Sequence, residues 1–357
     1  MANRRALFRS LLEAAYLWRQ KNSAIHSHRY HALYESFEGG HWYAELKNDG
    51  SIPVYHSRYL QRYYLLEPRA FLDSPPTVDQ KKFQRMQRPK LLFQRLVAHI
   101  TRPKPHLEIA CYYDPDGIIA LKTIEVCLPR VSDYDPRYSL ATCNSHFMSY
   151  FAYKFIFASA IRGMDFDAAY VGRLPIRRIE FTTLAKQRAA LLREAKQLLE
   201  KAFAENDASN GLRFVEEQLA AKPERADVVH DLLAFLAEEM TRLSTEKRTA
   251  ARGFIVDLKD FHGIDAHALT PKTRLDEFWK LEAADVFAHL RANKVRLKES
   301  DEEKIRERFS KSKSALVPLD SQIAFTDRLI DQIVYRLYGL TPEEIKIVES
   351  ASAKTSA

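Results

Sequence analysis

The sequence predicts an α+β protein in which a mixed α/β domain is followed by a mainly helical domain with long helices. Two observations carry this. Short aromatic and β-branched segments broken by glycine, proline and Asn-Asp turns occupy residues 26–130, whereas apolar positions beyond residue 184 recur at three- and four-residue steps inside charged sequence. A third is the charge-poor stretch Tyr138 to Arg178, where Phe147, Phe151, Phe155 and Ala158 recur at helical spacing and only Lys154 is charged between His146 and Arg162. Such a helix stays in water only if other elements cover it, so it is expected to be a core helix. Leu174-Pro175-Ile176 then stops regular structure, because proline fixes its own backbone and pushes its predecessor out of the helical region. The expected division is an N-terminal helix over 1–25, a mixed domain over 26–180 and a helical scaffold or docking domain over 181–357.

Taken in order, residues 4 to 21 place Leu7, Leu11, Ala14, Ala15 and Trp18 on one face of a short amphipathic helix. Strands and tight turns are expected from His26 to Tyr64, around Gly39-Gly40, Asn48-Asp49-Gly50 and Pro53. The apolar run from Pro89 to Ile100 is a buried strand candidate. Its partner is expected in His106 to Tyr113, followed by the turn Asp114-Pro-Asp-Gly117 and a further apolar segment, Ile118 to Val126. Asn144 and Ser145 have the residue types that cap the start of the core helix.

The second half opens on Leu191, Ala195, Leu198 and Ala202, the stripe of a long helix seeking a helical neighbour. Val229, Leu232, Leu233, Leu236, Met240 and Leu243 repeat the pattern, as do Ala250, Phe254, Leu258 and Phe261. Shorter helical pieces and polar turns such as Thr270-Pro271-Lys272-Thr273 are expected before the helix Ile323 to Tyr338. Gly339 suits a left-handed helix end, and Thr341-Pro342-Glu343-Glu344 supplies a hydroxyl cap, a proline at the first helical position and a glutamate at the third. No fixed-period repeat is present.

Composition narrows the function. The chain has 357 residues, 46% hydrophobic, and a formal charge of +8 that is unevenly placed. Residues 1 to 180 carry 26 Lys and Arg against 17 Asp and Glu, leaving 29 against 30 in the remainder. A basic half beside a neutral half points to a polyanionic partner for the first and a docking role for the second. The three cysteines, Cys111, Cys127 and Cys143, include no Cys-x-x-Cys pair, which fits a reducing, cytoplasmic setting without a disulfide framework or zinc ribbon. The longest apolar run, Phe147 to Ile161, is shorter than the ~20 residues of a membrane span, and Glu13 interrupts any signal-peptide core, so no membrane association or export is expected.

No two of the ten glycines are two residues apart, so no dinucleotide-binding or P-loop glycine motif is present, and no Asn or Asp precedes the single Pro-Pro pair. The chain is therefore expected to be non-catalytic and to hold no cofactor or metal of its own. His26, His28, His31 and His41 have the residue type for a metal but no cysteine nearby. Glu45-Leu-Lys47 and Glu344-Ile-Lys346 have a nuclease-like form without the upstream aspartate, and structural roles are expected for both. More informative is the interleaving of Arg58, Arg62 and Arg69 with Tyr55, Tyr59, Tyr63 and Tyr64, followed by Lys81, Lys82, Arg85, Arg88, Lys90, Arg95, Arg102 and Lys104 with no acid between Asp79 and Glu108. Phosphates call for such cations and base edges for the arginine fork. A solvated basic face is the plainer alternative; the placement of the charges beside strands and loops favours nucleic acid.

Arg88 to Arg95, the Asp-Gly turn, Tyr138 to Ser145 and Tyr170 to Ile176 together resemble the TaqI-like carboxy-terminal specificity domain. Val229 to Met240, Glu246 to Arg248, Gly253-Phe254, Lys272-Thr273 and Thr326 to Glu349 resemble the helical extension that follows it in adenine-N6 DNA methyltransferases and type IIG restriction-modification enzymes. The resemblance implies a DNA target-recognition domain over 26–180, acting on double-stranded DNA as the specificity component of a restriction-modification or phage-defence system. A separate adenine-N6 DNA methyltransferase subunit would be its partner and would carry the S-adenosylmethionine. The catalytic motif of the fused enzymes does not occur in this sequence, so a stand-alone specificity subunit and a piece of a longer enzyme both remain open. Arg58, Arg62, Lys90, Arg95, Arg102 and Lys104 are the candidate DNA contacts. The competing class is a protein-interaction scaffold or inhibitor whose basic face meets an acidic protein.

Overall fold

A computed structural model describes residues 33–102, 104–160 and 163–352. The expected helix over 4–21 and His26, His28 and His31 lie outside them. The class is α+β, with mixed sheets and a helical C-terminal region. Among the described residues no helix is long and apolar enough to cross a membrane.

The chain forms two compact units. The first comprises described residues up to 202 together with 207–237 and those from 330 onward. Its strands are β1 (Tyr34–Glu38), β2 (Ile52–Tyr55), β3 (Leu60–Gln61), β4 (Tyr64–Leu65), β5 (Ala70–Leu72) and β6 (Lys90–Gln94). There follow β7 (Leu96–Val97), β8 (Cys111–Asp114), β9 (Ile119–Ala120), β10 (Ile124–Pro129) and β11 (Met164–Asp165). The main sheet is antiparallel in the order β1-β10-β6-β8, with Phe93 opposite both Glu125 and Cys111. Leu91, Leu92 and Phe93 are fully buried, because a central strand covered on both faces must be apolar throughout. A smaller sheet, β5-β2-β9, packs Val54, Leu72, Ile119 and Ala120 against Trp42, Phe83 and Met86, the last two from helix α1 (Gln80–Met86).

Two turns depend on glycine. A Cβ on Gly39 would stand 2.1 Å from the Leu121 carbonyl oxygen, where the chain from β1 runs against the β9–β10 connection. Gly117 has φ of 81° and lies against Gln87, closing the Asp114-Pro-Asp-Gly turn expected from sequence.

Helix α2 (Pro136–Cys143) is capped by Asp135, whose carboxylate accepts from the Arg137 amide, with proline at its first position. Helix α3 (His146–Phe151) is capped by Ser145, which accepts from the Met148 amide, and runs into a π-helical turn over Ala152–Ile156. The apolar opening of the core segment is thus itself a helix, and Asn144 closes that helix as its C-cap, leaving the start of α3 to Ser145. The Asn144 side-chain amide makes two bonds of 2.9 Å to the backbone of Cys111, tying the α2–α3 corner to β8. The aromatic stripe is only half-buried; Met148, Tyr150, Ala152, Tyr153 and Ile156 form the buried side. Phe147 and Phe155 pack on Tyr335 and Val348 near the C-terminus.

The first unit is completed by α4 (Ala168–Val171), α5 (Ala185–Glu205), α6 (Ser209–Ala220), the start of α7 (Ala226–His262), the end of α9 (Glu299–Leu337) and α10 (Pro342–Ser352). Residues 174–179 are no linker, since Leu174, Ile176 and Ile179 are buried. The compact units accordingly divide beyond Ala237 and before Ile330 instead of at 180. The closing capping box forms as expected: Glu344 accepts from the Thr341 amide at 2.8 Å and Thr341 Oγ1 from the Glu344 amide at 3.3 Å. Gly339 has φ of 63°.

The second unit spans 238–329 with 203–206. Its core joins Phe254 and Leu258 of α7, Phe278 and Trp279 of a single 3-10 turn, Val286, Phe287 and Leu290 of α8 (Ala283–Ala292), and Ile305, Phe309 and Leu316 of α9. Phe254 and Phe278 have centroids 4.2 Å apart. The apolar stripes Val229 to Leu243 and Ala250 to Phe261 lie on one helix, α7, and the helix expected from Ile323 begins at Glu299. Phe261, expected on the buried stripe, is exposed.

One buried ion pair fastens this frame. Lys90, fully buried, donates to Asp114 and to the carbonyl of Met86, while Asp114 accepts from the amides of Asp116, Gly117 and Ile118. Asp114→Ala strands the ammonium and should destabilise the fold by about 3–5 kcal/mol in urea melts. The double variant Lys90→Met/Asp114→Asn, which removes both charges, should lose less than that single variant.

Candidate nucleic-acid interface

The six sequence-selected cations separate into two groups. Lys90 is withdrawn from the phosphate-contact set: its ammonium lies in the sheet interior, drawn below its ordinary pKa by burial with Asp114 opposing, and no solvent path leads a phosphate to it. Arg95 and Arg62, each partly exposed, are committed to partners within the fold. Arg95 bonds Asp165 at 2.6 and 3.1 Å and Glu38 at 2.6 Å, and these bonds hold its guanidinium above its ordinary pKa. Arg62 donates to Glu108 at 3.2 Å and to the Asn144 carbonyl at 2.7 Å, buttressing the same corner that Asn144 builds. A bidentate arginine already paired with carboxylate gains little by exchanging it for phosphate.

Arg58, Arg102 and Lys104 are exposed and have no carboxylate partner among the described residues. Arg58 belongs to the 3-10 turn Ser57–Tyr59, whose N-cap is the His56 ring, and lies 4.7 Å from the Tyr59 ring centroid. Arg102 and Lys104 sit in the loop closed by the bridge between Ile100 and His106, with His106 Nδ1 2.7 Å from the Lys104 carbonyl. Arg69, Lys81 and Arg88, part of the same basic interleaving, are also exposed without a carboxylate partner among the described residues, whereas Arg85 pairs with Glu35 at 2.6 Å. The cations this leaves for an interface lie on turns, loops and the first turn of α1, while Arg62, Lys90 and Arg95 serve the fold.

His41, the one described member of the histidine group, is bonded to Glu38 at 2.8 Å. Lys47 pairs with Asp73, and Glu344 is the capping residue, so neither Glu-x-Lys segment assembles a metal site. Among the described residues no group of three metal-ligating side chains converges. All three cysteines are buried and free.

One charged residue escaped the sequence reading. Glu125, at the middle of β10, is 1% exposed, and its Oε1 has no hydrogen-bond partner among the described residues. Burial pushes its carboxyl up to about 8, with Arg95 opposing and Asp167, Glu38 and Asp165 adding to the rise. Glu38 lies at about 2, held down by His41 and then Arg95 against the effect of burial. The available signal was a lone acid within the apolar run Ile124-Glu-Val-Cys-Leu128.

The fold and loops define an α+β protein with a cation-bearing first unit. Residues 228–334 match a family described as Domain of unknown function (DUF8810), a stretch that contains nearly all of the second unit. No curated protein matches the chain.

The Glu125 proton gives a pH signature. The unfolded chain releases it near 4.5 and the folded chain near 8, so the folded state binds more protons in between and stability falls as pH rises through that window. Glu125→Gln should remove this slope and raise stability at pH 8 by about 3 kcal/mol, measured as the denaturation midpoint from pH 5 to pH 8.

Proposed function

We propose that the chain is a sequence-reading DNA-binding component of a restriction-modification or phage-defence system, which directs a separate adenine-N6 methyltransferase to its site. The first unit would lie on duplex DNA through the loops holding Arg58, Arg102 and Lys104, with Arg69, Lys81 and Arg88 as further phosphate contacts. The observation that carries the reading is charge compensation. Of the eight cations between Asp79 and Glu108, Arg85, Lys90 and Arg95 are matched by acids elsewhere in the fold, and Lys81, Lys82, Arg88, Arg102 and Lys104 have no carboxylate partner among the described residues. Unmatched cations on loops and a short helix beside the sheet are what a polyanion surface requires, and the resemblance to the TaqI-like specificity domain names the polyanion. Base flipping and methyl transfer would fall to the partner enzyme.

Mobility shift of labelled duplex by the purified chain at low salt, with and without a cognate methyltransferase, tests this. Binding is expected, and its absence in both conditions overturns the proposal. Arg58→Gln/Arg102→Gln/Lys104→Gln should weaken binding and flatten the logarithmic salt dependence by about 3, since each phosphate left without its cation removes ~0.9 from the slope.

A further inference from the structure

The second unit is nearly neutral by count, yet its charge is unevenly compensated. Several of its cations are matched: Lys247 with Asp320, Arg308 with Asp257, Lys280 with Glu277 at 2.8 Å and Lys313 with Glu282 at 2.9 Å. One group of six is not. Lys272, Arg274, Arg291, Lys294, Arg296 and Lys298 are exposed and form no ion pair among the described residues.

They lie on two segments that the fold ties together. Asn293, at the end of α8, accepts from the Thr270 amide at 2.7 Å and donates to the Thr270 carbonyl at 3.1 Å. This reciprocal pair fixes the loop of Lys272 and Arg274 against the segment of Arg291 and Lys294. Between these segments His289 is 8% exposed, and its Nε2 makes no hydrogen bond among the described residues. Burial, then Arg274, lowers its pKa and keeps the ring neutral, so it adds a polar atom without a partner beside the cations.

Beyond Lys294 the side chains alternate: Val295 and Leu297 pack against the hydrophobic core, and Lys294, Arg296 and Lys298 face out. Residues 270–274 and 291–298 contain no aromatic side chain, so they offer no platform on which unpaired bases could stack, and paired DNA fits better than a single strand. The acids that follow, Glu299, Asp301 and Glu302, occupy the first turn of α9, where they complement the helix dipole; Asp301 lies 3.7 Å from His262.

We propose that the loops 270–274 and 291–298 of the second unit form a sequence-independent binding surface for the phosphate backbone of duplex DNA. This surface is additional to the one argued for the first unit and does not rest on it.

Fluorescence anisotropy of the full chain with a random-sequence duplex, titrated between about 50 and 200 mM salt, tests it. Lys294→Gln/Arg296→Gln/Lys298→Gln should reduce affinity at least about tenfold at the low end and flatten the slope by about 3. Its circular dichroism should match the parent, since all three side chains are exposed. Lys294→Arg/Lys298→Arg should retain binding. An unchanged slope in the glutamine variant overturns the proposal, as does equal affinity for a labelled polyglutamate of matched charge, which would assign the surface to acidic proteins. If only the first-unit triple variant alters binding, the second-unit surface falls and the proposed function stands; if only this variant does, the reverse holds.

Discussion

An ammonium in a sheet interior has to be neutralised within the chain, and the Lys90–Asp114 pair meets that demand by fixing four pieces of backbone at once. Lys90 opens the central strand β6 and reaches the last turn of α1 through the Met86 carbonyl. Asp114 ends β8 and gathers the amides of the turn that follows. Every oxygen of the carboxylate is therefore occupied, the condition under which a buried pair is tolerated. The register of β6 against β8, with Lys90 opposite Asp114, follows from the same contact. A slip by one residue would leave a charge uncompensated in the apolar sheet, so electrostatics and hydrophobic pattern specify one alignment.

A second set of polar contacts makes helices part of the α/β body. Tyr138 donates to the Arg177 carbonyl at 3.0 Å, and Tyr134 donates to the Ile179 carbonyl at 2.9 Å. Tyr338 donates to the Pro175 carbonyl at 2.7 Å and accepts from the Arg177 amide at 3.0 Å, while Arg177 also bonds the Leu337 carbonyl and Glu224. A segment that proline prevents from forming helix or ladder has its backbone groups satisfied by side chains, as buried backbone requires. His146 adds a further tie, 2.7 Å from Asp331. The described residues from Ile330 onward thus belong with the first unit, and the strand-rich region does not stand apart from those helices.

What the sequence discloses and what it conceals divide along contact range. The Thr341 capping box, the Asp114–Gly117 turn and the Gly339 helix end are local devices, and each lies where its residues indicate. The stripe Phe147, Phe151, Phe155 has the right period but the wrong phase, because Phe147 and Phe155 meet the distant Tyr335 and Val348 and the stripe is less covered than the side facing the core. Gly253 and Pro318 resemble interruptions but lie inside α7 and α9, where tertiary packing outweighs propensity. The pairing of Arg62, Lys90 and Arg95 within the fold is not legible in the sequence. Their partners lie 46, 24 and 57 or 70 positions away, and no pattern in the run from Asp79 to Glu108 distinguishes a cation that will meet one from a cation that will not.

That last distinction bears on how basic sequences are interpreted. Net charge assigns the excess to the first half, yet three of the six candidate cations there are consumed by the fold. The neutral second half contains a group of six that form no ion pair among the described residues, while other cations of that unit are paired with acids and further acids occupy the first turn of α9. A polyanion responds to the local field, which depends on compensation within about one Debye length, ~8–10 Å at ordinary salt, and not on a sum over some hundreds of residues. Counting unmatched exposed cations therefore ranks surfaces differently from counting cations. By that measure the loops at 270–274 and 291–298 rank with those of the first unit, although composition by itself points only to a docking role for that half.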